Sequence, residues 1–170
     1  MNGPTNFAEP VKRLIAAIID GVILGVGAVI IGAFTFIPTV MSLVALGEDA
    51  SEEELVTTFA GSLGAIFLFI ILYYAAYFLY FVLQHSSKFQ ATLGKRAMKI
   101  YVTDELGERL TLSKALVRMI GRVINGFTMG IGYLIILFTD KKQGVHDMIA
   151  KTLVLDGNVE QDSFSEEEIL

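Results

Sequence analysis

The 170-residue sequence has no cysteine, which excludes disulfide staples, thiolate nucleophiles and cysteine metal sites and leaves the redox compartment unread. Its two histidines, His85 and His146, are too few for a histidine-rich metal cage. Charge is scarce too: 18% of the residues are charged, 54% are hydrophobic and the mean hydropathy is +0.61. Soluble proteins carry about 25% charged residues, so an ordinary soluble domain is excluded, and disorder would need the opposite balance. The length allows about one domain, and one membrane-embedded unit is the reading that fits. Bases are missing from two stretches. Residues 38–55 hold Glu48, Asp49, Glu52, Glu53 and Glu54 without a Lys or Arg, and Asp156–Leu170 holds six acids and no base. Residues 156–170 therefore read as a disordered acidic tail. Residues 88–151, in contrast, hold eleven Lys or Arg against five acids. In a chain of net charge -5 that bias suits anionic lipid at a membrane surface and argues against a nucleic-acid partner.

Long apolar runs are what the sequence does contain. Between Arg13 and Glu48 the only charged side chain is Asp20, and residues 14–37 would form a helix of about 36 Å, enough for a hydrocarbon core of about 30 Å. Leu55–Leu83 carries no charge and forms a second span. Lys12 and Arg13 precede the first span and Lys88, Lys95, Arg96 and Lys99 follow the second, so the positive-inside rule places both ends in the cytoplasm and the acidic loop 38–55 outside. The N-terminal run is too long for a signal-peptide core and contains a carboxylate. A third apolar stretch, within 113–139, is interrupted by Gly126, Gly130 and Gly132 and flanked by bases on both sides. It reads as half-helices at about 113–125 and 127–138 in a re-entrant hairpin, with a short third span as the alternative. In the loop 88–112, Met98–Thr103 and Arg109–Leu112 read as strands around a turn at Asp104–Gly107, and Thr152–Leu155 as a strand joining them in a small cytoplasmic sheet. The expected fold is thus an all-α membrane protein: residues 1–12 as a cytoplasmic N-terminus, 13–155 as a single domain with two spans and a third broken segment, and a small cytoplasmic β-hairpin or sheet.

Asp20 leads the candidate functional residues, because a carboxylate within a span normally faces a bundle interior or a water path and has a partner. Arg13 shares its helical face but lies about 10 Å away along the axis, too far for direct pairing. Lys114, Arg118, Arg122 and Asn125 recur at steps of four, four and three, one polar stripe on an apolar helix, and Arg118 and Arg122 are the expected partners of Asp20. This network either borders a proton or ion path, or is a static pair that fixes packing, or consists of long bases that snorkel to lipid phosphates. Ala17, Gly21, Gly25, Ala28 and Gly32 line one face of the first span and permit close helix contact, within one chain or across a dimer. Tyr73, Tyr77 and Tyr80 share a face of the second span, which suits ring packing and interfacial anchoring better than cofactor stacking. Asp147 beside His146 lacks the companions of a metal site and reads as a cap for the turn Met148–Lys151 or a partner for a base of the sheet. Gln90–Lys95 lacks the leading Gly and the final Ser or Thr of a phosphate loop, and no hydrolase elbow is present, so neither enzymatic activity nor a cofactor is expected.

Taken in order, these residues resemble the RDD family of small integral membrane proteins, named for one arginine and two aspartates. Arg13 and Asp20 match the arginine and first aspartate, Thr92, Gly94 and Lys95 match a Gly-x-Thr-x-Gly-Lys turn in which Gln90 replaces the first glycine, and Asp147 matches the second aspartate. The resemblance covers residues 13–155. It implies a protein of the bacterial cytoplasmic membrane, described for the family as a candidate transporter of unidentified ligand. Cation/proton exchange is suggested for some members and accessory roles in membrane complexes for others. An ion path would require a homo-oligomer, since two spans and a hairpin cannot enclose one. The alternative is a scaffold or regulatory subunit bound to a membrane protein partner.

Overall fold

The computed structural model describes residues 4–47, 49–127 and 131–157. Glu48, the Gly130 break and residues 158–170 of the acidic tail lie outside the described residues. The order of elements is α1 (Pro10–Ala45), α2 (Glu52–Ser86), α3 (Leu93–Ala97), β1 (Ile100–Asp104), α4 (Leu112–Phe127), α5 (Ile131–Leu134), a 3-10 turn at Ile135–Leu137, α6 (Val145–Ile149) and β2 (Thr152–Asp156). Both expected spans are helices, and each runs beyond its apolar run. α1 and α2 contain 36 and 35 residues, about 50 Å each at 1.5 Å per residue, so their ends extend past a hydrocarbon core. Only 11% of the most apolar window of either helix is buried, whereas a helix in a soluble core would be mostly covered. Two exposed apolar helices of this length suit a lipid environment.

The chain divides into two compact units. One is Val22–Tyr77, formed by the adjoining parts of α1 and α2 and the turn between them. Ser51 and Glu54 start α2 with a reciprocal cap: the Ser51 N–H donates to Glu54 Oε2 at 2.8 Å and the Glu54 N–H to Ser51 Oγ at 3.3 Å. The acidic first turn, Glu52 to Glu54, faces the positive end of the helix dipole. Phe69 packs against Phe36 at 5.3 Å between ring centroids and stacks on Tyr73 at 6.0 Å, with Tyr77 next along at 6.3 Å from Tyr73. Gly32 lies against Phe69. A Cβ added at Gly21 or Gly25 would meet nothing within 4 Å, so these two positions of the small-residue stripe make no close helix contact among the described residues.

The other unit comprises the residues through Gly21 and those from Phe78 onward. β1 and β2 pair antiparallel in a register that sets Ile100 opposite Asp156 and Asp104 opposite Thr152. Their apolar residues, Tyr101, Leu153 and Leu155, form a core with Ala91 and Phe7. The N-terminal segment adds to this sheet, since Ala8 N–H donates to Val154 O at 2.8 Å and Asp156 N–H to Asn6 O at 2.9 Å. Asp156 therefore ends a strand, where it pairs with Lys12 at 2.5 Å, and is not the start of a tail. The expected strand at Arg109–Leu112 reduces to one bridge, Thr103 to Arg109, because α4 begins at Leu112. The stretch 113–125 is helical as expected, but α4 continues through Gly126 to Phe127, and the second half is a short helix and a 3-10 turn. α4 buries Arg118, Met119, Gly121 and Asn125 and leaves Val117, Ile120, Val123, Ile124 and Phe127 exposed.

Candidate functional site

Asp20 is 3% exposed and accepts three hydrogen bonds. Tyr80 Oη donates to Oδ1 at 2.6 Å, Thr92 Oγ1 to Oδ2 at 2.6 Å and the Gly94 N–H to Oδ1 at 2.8 Å. α3 explains two of these donors. Thr92 is its N-cap and accepts from the Lys95 N–H at 3.4 Å while giving its own proton to Asp20, and Gly94 presents a first-turn amide that no helical carbonyl can use. Glycine is required there, since a Cβ on residue 94 would overlap the Ala16 carbonyl oxygen and lie 2.8 Å from Asp20 Oδ1. The first aspartate thus docks the start of α3 onto α1.

Asp147 is fully buried and fastens a second junction. Its Oδ2 accepts from Arg13 Nη2 and, at 3.0 Å, from the Gly144 N–H, which closes the start of α6. Its Oδ1 lies 2.5 Å from Arg118 Nη2 and 3.1 Å from His146 Nε2. Arg13 also donates to the Lys142 carbonyl, and Arg118 Nη1 donates to Thr152 Oγ1 at 3.3 Å. One carboxylate thereby joins α1, α4 and α6. Burial opposes ionisation of Asp147, but the Arg118 and Arg13 guanidinium groups outweigh it and hold the carboxyl well below the usual range. Burial likewise pushes the His146 imidazole down to about 4 against the pull of Asp147. Asn125 Nδ2 lies 3.2 Å from the other nitrogen of that neutral ring, Nδ1. Gly121 lets α4 approach α6 here, a Cβ at 121 falling 2.9 Å from His146 Cα.

The expected pairing of Asp20 with Arg118 or Arg122 is therefore replaced by two separate clusters. Among the described residues no base lies within ion-pairing distance of Asp20. Neutral donors, Thr92 and Gly94 at the start of α3 and Tyr80 of α2, take its oxygens, and Arg118 goes to Asp147. Arg122 lies over the Phe81 ring at 4.0 Å, Asn125 meets His146, and Lys114 pairs with Asp104 at 2.8 Å. The Asp147 side chain closes the start of its own helix and binds bases of α1 and α4, and its carbonyl accepts from Thr152 Oγ1 of β2 at 3.3 Å; among the described residues it pairs with no base of the sheet. Tyr80 was legible only as an aromatic, and its place on the helix gave no sign that its hydroxyl reaches Asp20. Gln90, where the family has glycine, adopts φ +51°, the left-handed region that glycine favours. Its side chain donates to the Val102 carbonyl at 2.9 Å, which compensates part of the strain. No three His, Asp or Glu side chains converge in a metal-binding group among the described residues.

An apolar helical pair, an arginine and aspartate on α1 and a second aspartate on α6 that closes back on that arginine define the class. The RDD family model matches residues 7–151, and the chain belongs to the RDD family of membrane proteins. The uncharacterized protein YxaI of Bacillus subtilis (strain 168) is 33% identical over 143 residues, covering 84% of this chain and 93% of its own length. No solved structure matches the chain.

Proposed function

We propose that the protein is a non-catalytic scaffold or regulatory subunit of the cytoplasmic membrane, whose two aspartates fasten the segments that follow the spans onto the first helix. The observation that carries this reading is that Asp20 holds three donors of its own unit while Asp147 holds two arginines and a backbone amide. A carboxylate so engaged serves cohesion, and opening it for a ligand would strand buried donors. Charge asymmetry orients the N-terminus to the cytoplasm and the loop 38–55 outward. The exposed apolar faces of α1 and α2 suit lipid, a second copy or the helices of a partner protein.

A second reading, cation/proton exchange by a homo-oligomer, draws support from the two hydroxyls at Asp20, because a hydroxyl can turn a lone pair toward a cation where it now gives a proton. One experiment separates the two. Purified protein and its Asp20→Asn variant are reconstituted in liposomes with a trapped pH dye under Na⁺ and K⁺ gradients, with abundance measured in parallel. The scaffold reading expects no cation-driven proton movement from the wild type and reduced abundance of the variant. Exchange that disappears in a well-assembled variant would replace it with the transport reading.

A further inference from the structure

Lys95 and His85 are a buried pair that the two aspartate clusters do not use. Lys95, in α3, is 5% exposed and His85, near the end of α2, is 2% exposed, and Lys95 Nζ lies 2.9 Å from His85 Nε2. At that separation one nitrogen must donate and the other accept, so the two cannot both carry a full complement of protons on the facing atoms. Nor is the pair near a free carboxylate. The charged groups whose fields act on it are Arg13 from α1, Arg118 and Arg122 from α4, and Asp147 from α6. The oxygens of Asp147 are already engaged by Arg13 and Arg118, and those of Asp20 by Tyr80, Thr92 and Gly94. Arg118 Nε and Nη2, Arg122 Nε and Asp147 Oδ1 are buried without a hydrogen-bond partner among the described residues, Asp147 Oδ1 meeting Arg118 Nη2 as an ion pair, before Lys95 adds three N–H groups. A protonated Lys95 would make a fourth cation beside three arginines, with two committed carboxylates to balance them. The Phe81 ring stands 6.0 Å from that of His85 and carries the Arg122 guanidinium over its face.

We infer that Lys95 and His85 form a proton-binding site, a neutral amine and a neutral imidazole that together take up a single proton as the pH falls. Burial, and after it Arg118, Arg122 and Arg13, hold the Lys95 ammonium well below its ordinary range, which agrees with this geometry. Uptake places charge on α3, the helix that Asp20 docks to α1, so the site makes that docking sensitive to pH. The inference does not depend on whether the protein is a scaffold or an exchanger.

The test is a titration of the full chain in detergent micelles with lysine labelled at Cε, whose carbon shift reports the state of the amine. The sequence has eight lysines. One lysine signal should titrate well below the ordinary alkaline range of the amine, and that low signal should vanish in Lys95→Met. Should that variant fail to fold, ring-labelled histidine in the wild type makes the assignment, because the His85 signal must move with the same midpoint as the low lysine. Eight lysines titrating together, or a low signal that persists in folded Lys95→Met or moves without His85, would overturn the inference.

Discussion

A neutral His146 buried beside Asp147 predicts a fall in stability on mild acidification. Its pKa is lowered from 6.5 to about 4, so the unfolded chain takes up a proton over a range where the folded chain does not. The sign follows: stability is intact above pH 6.5 and declines as the pH falls toward 4. Each pH unit within that window is worth about 1.4 kcal/mol, so the loss reaches roughly 2 kcal/mol by pH 5. For a chain of 150–250 residues this corresponds to a drop in Tm of about 4 to 8 °C. The assay is unfolding of the detergent-solubilised protein at pH 7 and pH 5, with the His146→Gln variant in parallel. Glutamine carries no titrating group, so the variant should lack about 2 kcal/mol of the wild-type decline even where its stability at pH 7 is lower. Equal pH dependence in the two proteins would show instead that His146 is protonated alike in the folded and unfolded chains.

Asp147→Asn leaves the Arg13 and Arg118 guanidinium groups buried without their carboxylate, and breaking a buried pair in this way costs about 3 to 5 kcal/mol. The check is denaturant unfolding, with steady-state abundance in the membrane falling in step. Gly94→Ala forces a Cβ into the Ala16 carbonyl and the Asp20 carboxylate, so α3 must withdraw from α1. The expected loss is about 2 to 4 kcal/mol, of the order of an overpacked contact plus a lost charge-assisted hydrogen bond, read as a lower unfolding midpoint. Gly25→Ala, where a Cβ meets nothing, is the control and should be within about 0.5 kcal/mol of wild type in the same unfolding assay.

What the sequence made legible follows from local physics. Apolar length alone marks both long helices, because a helix satisfies its own backbone groups in an apolar stretch long enough to cross hydrocarbon. β1, β2 and their partnership were also readable, as alternation and turn residues mark short strands directly. The two aspartate clusters were less accessible. Arg13 and Asp147 are 134 residues apart, and no periodicity in either helix points to the other. The stripe of Lys114, Arg118, Arg122 and Asn125 was correctly placed on one helix, yet its partners could not be ranked. Charge alone points Asp20 to an arginine, and nothing in the sequence pattern marks Thr92, Tyr80 and the Gly94 amide as its donors. The signal available was the short sequence Thr92-Leu93-Gly94-Lys95, an N-cap followed by a residue with no side chain, which marks a helix start that something acidic can approach closely.

Whether Asp20 holds α3 in place is read by hydrogen exchange across residues 90–98 in micelles, comparing wild type with Asp20→Asn. The Gly94 and Lys95 amides should lose protection in the variant while those of β1 and β2 keep theirs. Unchanged protection across that segment in a folded variant would contradict this, and would mean that the carboxylate serves something other than the fold.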